Sequence, residues 1–357
     1  MMIRLSLAAL LLAAPSFAAT AAPAPQARTH AEPASAVVAK LGETLDQYYV
    51  DSDVASAYRD TLARLYKAGE FNGLSGDALA DALTAKLQQS HGDAHLKVYG
   101  PGHGIYGKED ENGEAALPDN AYEASGWIAP GVAYLRPFAF FGRAGDVARM
   151  QRFVDEHAGA KALILDLRHH AGGEVPEIDV LAADLFGKPT DLAKMRARTA
   201  GWDRFEPVAD TRELFVTRRD ARYVEQTHRA VPRAGGARMA DIPVYVLTSK
   251  RTASAGEHLS LILKRTNRAT LIGETTMGAG HYGEEVQLTD GFKLFVPYGE
   301  TVDLKTGKGW EATGVEPDVA VEAKQALNVA LQRLGVAAVA DAYPKIGEAG
   351  GMARAAR

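Results

Sequence analysis

The sequence of 357 residues contains no cysteine. This absence excludes disulfide bonds, thiol catalysis, thiolate metal sites and a lipid anchor on an N-terminal cysteine. Charge of one sign is not in excess, with 45 acidic and 40 basic residues and a formal net charge of -5. Because like charges do not cluster in runs, the sequence predicts neither a nucleic-acid groove nor a membrane-surface patch. A peptide, a protein or a small molecule remains as the partner, and the oligomeric state stays open.

Long apolar runs are also lacking in the chain after its N-terminal segment. No stretch there approaches the roughly 18 to 20 apolar residues of a transmembrane helix. The N-terminus itself has Arg4, an apolar run over residues 5–15 and the small-residue site Ser16-Phe17-Ala18. This order is typical of a secretory signal peptide, residues 1–18, cleaved near Ala18. We therefore expect a periplasmic or secreted protein.

The rest of the chain divides by composition and periodicity. Residues 19–34 are rich in Ala and Pro and predict a disordered leader. Apolar residues at helical spacing predict a helical N-terminal subdomain over residues 35–98, and the Gly- and Pro-rich residues 99–125 predict a connecting loop. Strand and helix patterns then alternate through residues 126–321, which predicts an α/β core. A C-terminal helix and tail are expected over residues 322–357.

Individual elements of the core follow from short apolar runs and helical spacing. Strands are predicted at residues 131–136, 162–166, 243–248 and 269–273, helices at residues 144–157 and 255–265, and a hairpin-like region at residues 284–296.

Ser254 lies between the strand predicted at residues 243–248 and a helix that begins at or just after the serine. A helix N-terminus has unpaired amides and the positive end of the helix dipole, so the Ala255 amide could hold an oxyanion formed after attack by the Ser254 hydroxyl. Serine is also a common helix N-cap, and the local sequence leaves both interpretations open. Thr252 occupies the first position of the Gly-x-Ser-x-Gly pattern, which disfavours an α/β-hydrolase elbow.

A second segment, residues 166–173, is a buried strand that ends in the pair Gly172-Gly173. Adjacent glycines let the backbone turn sharply and present their amides to a ligand. A turn that needs only positive φ would explain the same residues. Together with Ser254, Gly172 or Gly173 is predicted to supply a second oxyanion donor.

His95 is the candidate general base, because a serine nucleophile needs a neighbouring base and imidazole titrates near neutrality. His91 and His95 are four residues apart and would suit a zinc site on a helix. Gly92 interrupts that helix and no third ligand is evident, so no metal is predicted. Glu311, before a Pro-Asp turn, could orient the base. An ordinary surface histidine is the alternative for His91, and a solvated loop acid is the alternative for Glu311.

These segments, in this order, resemble the tail-specific or C-terminal processing protease family, most closely the branch of tricorn-protease cores and interphotoreceptor retinoid-binding protein modules. The likeness covers about residues 35–335 and is specific as an ordered set. Asp93-Ala94-His95 matches an Asp-Gly-His-like element, and residues 166–173 match Asp-Leu-Arg-x-x-x-Gly-Gly. Residues 252–257 match Thr-x-Ser-Ala-x-Glu, and residues 273–278 match Gly-Glu-x-Thr-x-Gly. Residues 310–318 match Trp-Glu-Gly-x-Gly-Val-x-Pro-Asp, with Ala312 replacing the first glycine.

The resemblance implies a crotonase/ClpP-like α/β core of the tail-specific protease type with an N-terminal helical subdomain, and it implies no cofactor. The implied roles are Ser254 as nucleophile, His95 as general base, Glu311 as the acid that supports the catalytic array, and Ala255 with Gly172 or Gly173 as oxyanion donors.

Besides Ala312, the sequence departs from the family in three further places. The lysine of the Ser/Lys branch falls at the position of Ala279, so Ser/Lys chemistry is not available there. Too few residues separate His95 from the first predicted strand of the core for the PDZ domain of many relatives, and none is expected. Ala94 replaces the serine that precedes the histidine in the tricorn-like array. Either Asp93 or Glu311 is therefore expected to support His95, and the sequence does not decide between them.

These observations predict an exported serine peptidase with a serine nucleophile and a histidine base. Two alternatives stay open, namely a non-catalytic module of the same fold that binds apolar ligands, and an esterase or amidase, since acyl transfer to a serine uses the same groups. His281 and Thr276, near the glycine-rich stretch, are candidate substrate contacts, with ordinary loop residues as the alternative.

Overall fold

The computed structural model describes residues 34–110, 117–205, 210–289 and 291–339. The predicted signal peptide, nearly all of the predicted leader and the end of the predicted tail lie outside the described residues. The helices are α1 (Ala34–Tyr48), α2 (Ser52–Lys67), α3 (Gly76–Ser90), α4 (Ala144–Glu156), α5 (Pro176–Leu185), α6 (Thr199–Phe205), α7 (Ala255–Arg265) and α8 (Ala323–Arg333). None of these helices combines the length and apolar character that crossing a membrane requires.

The strands form two large sheets and one short pair. Their bounds are β1 (Lys97–Tyr99), β2 (His103–Gly104), β3 (Gly107–Lys108), β4 (Tyr122–Ala129), β5 (Val132–Pro137), β6 (Ala162–Asp166), β7 (Thr190–Arg198), β8 (Leu214–Arg219), β9 (Tyr223–Ala230), β10 (Val244–Thr248), β11 (Thr270–Gly273), β12 (His281–Thr289), β13 (Phe292–Val302) and β14 (Val319–Ala320).

The first large sheet has the order β14-β11-β10-β6-β5-β4 and is parallel except for the antiparallel edge pair of β4 and β5. Every residue of β6 is buried, as expected for a parallel strand covered by helices on both faces. Helix α8 packs on one face through residues such as Leu327 and Leu331, and α5 and α7 pack on the other. The carboxyl ends of β6 and β10 lie side by side, which places the loops after Asp166 and Thr248 together.

The second large sheet is antiparallel, with the order β1-β13-β7-β9-β8 and with β12 paired to β13. The apolar stripes of α1, α2 and α3 face this sheet and share its core, which includes Leu288 of β12 and Leu294 of β13. Asp51 caps α2 by accepting the amides of Asp53 and Val54 at 2.8 and 3.0 Å, which fixes the start of this helix.

The predicted α/β class is confirmed, and each strand and helix predicted from an apolar run is present. The hairpin is longer than predicted, because β12 and β13 extend beyond residues 284–296 at both ends. The described residues within 176–205 and 210–230 form α5, β7, α6, β8 and β9, for which no element was predicted. β7 and β8 contain arginines and are partly exposed, and β9 is mostly buried but carries polar residues, so short apolar runs do not mark these strands.

Candidate active site

Ser254 is the N-cap of α7, at the end of the short loop that follows β10. Its φ of 49° lies in the left-handed region, where a residue other than glycine is strained. The Glu257 carboxylate accepts the Ser254 amide at 2.9 Å and completes a capping box. The alternative of a helix cap is therefore true of Ser254, but an ordinary cap has extended backbone and needs no such strain.

The loop after β6 brings the glycine pair against Ser254. A Cβ atom at Gly172, where φ is 110°, would lie 2.8 Å from the Ser254 Cβ, so this close approach requires glycine. A Cβ atom at Gly173 would overlap the carbonyl oxygen of Phe140. The side chain of Thr252 donates to the carbonyl of Leu167 at 2.8 Å and ties the two loops together.

The amides around Ser254 differ in what they contact. The Gly172 amide donates to Nδ1 of His170 at 3.2 Å. Within the described part of the chain, the amides of Ala255 and Gly173 have no hydrogen-bond acceptor. Of the three predicted oxyanion donors, Ala255 and Gly173 are thus the two whose N–H groups are unoccupied.

His170 is fully buried behind the glycine pair and packs on Phe140 with ring centroids 4.2 Å apart. Burial lowers the pKa of His170 to about 3. The imidazole is therefore neutral, and its Nδ1 can accept the Gly172 amide. No sequence signal identified His170 as part of this site.

The buried His170 predicts a measurable pH dependence of stability. Its folded pKa lies below the unfolded value of about 6.5, so its contribution is complete above pH 6.5 and is lost as the pH falls toward 3. Between pH 6 and 4, His170 should lower the unfolding free energy of the wild type by about 1.4 kcal/mol for each pH unit of acidification. The variant His170→Asn keeps an acceptor but does not titrate, so it should lack this contribution. Urea denaturation at each pH measures this slope. Parallel slopes for the wild type and His170→Asn would contradict the prediction.

The buried carboxylate of Glu257 links Ser254 to the glycine-rich loop of residues 276–281. Its Oε1 accepts the Thr276 hydroxyl at 2.5 Å and the Gly278 amide at 2.7 Å, and its Oε2 accepts the Ala279 amide at 2.8 Å. The Thr276 hydroxyl in turn accepts the amide of Val315 at 2.7 Å. Burial raises the pKa of Glu257, although these hydrogen bonds oppose the rise. Thr276, predicted as a weak substrate contact, is buried and uses its hydroxyl inside the protein.

Asp93 is the centre of a second group of predicted residues at the far end of the same loop. Its Oδ1 accepts the amides of His95 and Leu96 at 2.9 and 3.2 Å. Its Oδ2 accepts the Tyr49 hydroxyl at 2.8 Å and lies 2.8 Å from Nδ1 of His281. Burial alone would raise the pKa of Asp93, but the contact with His281 lowers it below the ordinary value.

Glu311 joins the same two segments through its backbone contacts. Its Oε1 accepts the Ala94 amide at 3.0 Å, and its Oε2 accepts the amides of Gly280 and His281 at 2.6 and 2.9 Å. Burial, followed by the nearby Asp93 charge, raises the pKa of Glu311. The structure therefore places both predicted supporting acids beside the His95 turn, and each of them holds backbone rather than the His95 ring.

The His95 ring packs on Phe295 with centroids 5.9 Å apart and planes inclined at 28°. Among the described residues, its Nδ1 has no hydrogen-bond partner. Burial lowers the pKa of His95 to about 4, against the opposing effect of Asp93. His95 is thus a neutral imidazole near neutral pH, which is the state a general base requires.

The side chains of Asp93, His281 and Glu311 place one ligand atom each within 4.8 Å of one another, which is close enough to hold a metal ion. The Asp93 and Glu311 oxygens already accept seven hydrogen bonds, and Nδ1 of His281 is engaged with Asp93. A cation would have to replace contacts that hold the backbone together, so the donor set fits a hydrogen-bonded cluster better than a metal centre.

Comparison with known proteins gives one family over most of the described chain. Residues 131–321 match peptidase family S41, and residues 28–124 match the N-terminal domain of peptidase S41 in eukaryotic IRBP. The carboxyl-terminal-processing peptidase 1 of Arabidopsis thaliana, named as chloroplastic, is 28% identical over 202 residues. The carboxyl-terminal-processing protease of Synechocystis is 29% identical over 192 residues. Each match covers 54% of this chain but only 34% and 38% of the two relatives.

Two solved structures share the fold. The photosystem II D1 C-terminal processing protease superposes with a TM-score of 0.50 at 16% identity, over 82% of this chain and 94% of that one. The tricorn protease superposes with a TM-score of 0.51 at 14% identity, over 84% of this chain and 36% of that one. These likenesses confirm the architecture predicted from the ordered motifs.

Proposed function

Since its residues 131–321 match the family, this chain belongs to peptidase family S41, and we propose that it hydrolyses peptide bonds with Ser254 as nucleophile and His95 as general base. The observation that carries the proposal is the setting of Ser254. The serine lies strained at a helix N-terminus, in contact with Gly172 and beside the unoccupied amides of Ala255 and Gly173. This combination suits acyl transfer better than it suits a simple helix cap.

The proposed reaction has two stages. His95 takes the proton of the Ser254 hydroxyl as the oxygen bonds to the substrate carbonyl carbon, and the Ala255 and Gly173 amides hold the resulting oxyanion. His95 then returns the proton to the leaving amine, and the C–N bond breaks to leave an acyl-enzyme. Water, deprotonated by His95, hydrolyses the ester and restores Ser254.

The residues around the pair have supporting places in this proposal. Ala279 stands where the Ser/Lys branch has its lysine, which leaves an imidazole as the base. Asp93 and Glu311 hold the backbone on either side of His95. Thr276 supports Glu257 rather than contacting substrate. We further propose, from residues 1–18, that the protein is exported and meets peptide or protein substrates outside the cytoplasm.

Digestion of a peptide library by the full-length protein, followed by mass spectrometry, tests the proposal. Wild-type protein should release defined cleavage products, and the variants His95→Ala and Ser254→Ala should release almost none, because each removes one partner of the proton transfer. Folding is checked by thermal unfolding of all three proteins.

A panel of esters and fatty acids forms the second arm of this experiment. Ester hydrolysis without peptide cleavage would replace the peptidase by an esterase. Tight fatty-acid binding without hydrolysis of either substrate class would show a binding module. Undiminished cleavage by His95→Ala would overturn His95 as the base.

A further inference from the structure

We propose that His281 is a positioning residue: as an imidazolium between Asp93 and Glu311, it joins the His95 turn to the glycine-rich loop and adds to the effect of burial in disfavouring protonation of His95. This inference rests on the proposed function and assigns a role to a histidine that contacts neither Ser254 nor the reacting proton in the scheme above. It is carried by the geometry of the carboxylates that surround the histidine.

Two carboxylates bridge the same two segments of chain. Asp93 holds the His95 amide with one oxygen and the His281 ring with the other, each at 2.8 to 2.9 Å. Glu311 holds the Ala94 amide with one oxygen and the His281 amide with the other. His281 is therefore fixed by ring and backbone to the two acids that fix the turn of the proposed base.

The other end of the glycine-rich loop is fixed at Ser254. Glu257 accepts the amides of Ser254 and Ala279, and only Gly280 lies between Ala279 and His281. The loop thus connects the nucleophile turn to the base turn through hydrogen bonds to carboxylates at both ends. Displacement of His281 would move the two reacting side chains relative to each other.

His95 lies in a turn whose backbone is held by the carboxylates of Asp93 and Glu311. The buried Asp93 carboxylate favours a proton on His95, because a nearby anion favours the charged form of an imidazole. A protonated His95 could not act as the base. A second imidazole that carries the compensating positive charge removes this conflict, and His281 is the histidine in contact with both acids, with its Nδ1 2.8 Å from Asp93 and 3.7 Å from Glu311.

The surroundings of His281 favour its charged form. The groups that face it are Tyr49 after α1, Asp93 and His95 in the turn before β1, Glu300 on β13 and Glu311 in the loop before β14. Burial would lower the pKa of His281, but Asp93, Glu311 and Glu300 raise it above the ordinary value. The positive charge of His281 in turn lowers the pKa of His95.

The test compares His281→Gln, which keeps a donor but loses the charge, with the wild type. The acid limb of the kcat/KM profile, which reports His95, should move upward by about one pH unit. Because the loop is displaced, kcat near neutral pH should fall about tenfold while KM stays nearly constant. The matched variant His103→Gln, at a histidine paired with Asp77 outside the site, should change neither quantity.

A merely structural role would lower kcat and leave the acid limb where it is, and this result would overturn the proposal. Histidine side-chain NMR of the full chain gives an independent reading that needs no activity. In the wild type, His281 should titrate above its ordinary value and His95 below it, and a neutral His281 at pH 6 would overturn the proposal even if His281→Gln failed to fold. A wild-type protein that cleaves no peptide defeats the proposed function, while the NMR titration still decides the charge on His281.

Discussion

Replacing Ser254 with alanine should reduce kcat/KM for a cleaved peptide by at least about 10⁴-fold, because the variant has no oxygen to form the acyl-enzyme. The amides of Ala255 and Gly173 remain and can still bind a polarised carbonyl, so a small residual rate above that of water is expected. KM should change little, since the hydroxyl acts mainly in the transition state. Initial rates on the best library peptide measure the effect.

The control for this variant is Ser56→Ala, which removes a serine hydroxyl that bonds to the main chain of α2, far from α7 in sequence. Its kcat/KM should equal that of the wild type. Urea denaturation of both variants separates a change in unfolding free energy from the loss of activity. Intact-mass analysis after fluorophosphonate treatment should show one adduct on the wild type and none on Ser254→Ala. Peptide cleavage that survives in Ser254→Ala would remove Ser254 from the mechanism.

The sequence predicts the parallel sheet well because burial on both faces makes β6 and β10 continuous apolar runs. A short loop follows each of these strands. The same reasoning fails for β8, whose Arg218 and Arg219 are exposed at the sheet edge. Edge strands carry little periodic signal, since only one face and one neighbour constrain their side chains.

The site shows where local sequence stops being informative. Ser254 and the glycine pair could be predicted because each lies just after a strand that the sequence shows as an apolar run. The contact between Asp93 and His281 joins residues 188 positions apart and depends on the packing of α1 against the antiparallel sheet. Ala312, which replaces a family glycine, has a φ of 59°, so the departure seen in the sequence becomes a strained backbone position in the fold.

Replacing Glu257 with alanine should have the second largest effect, on stability and activity together. The carboxylate accepts four donors, from Ser254, Thr276, Gly278 and Ala279, and donates to none. Loss of the acceptor leaves these buried N–H and O–H groups unsatisfied, at a cost of about 1 to 3 kcal/mol for each one that water cannot reach. We expect at least about 3 kcal/mol of lost unfolding free energy in urea denaturation.

The variant Glu257→Gln separates charge from shape. Because all four partners of Glu257 donate, an amide NH2 at this position would face donors and find no acceptor, so the ionised carboxylate is the form that fits. We expect about 10²-fold loss of kcat for Glu257→Gln, since a shift near 1 Å in the Ser254 turn spoils the attack geometry. Glu70→Gln, at an exposed glutamate paired with Lys86, is the matched control and should retain wild-type kcat and stability. If Glu257→Gln matched that control, the carboxylate would be neutral in the folded protein and the link from Ser254 to the glycine-rich loop would not depend on its charge.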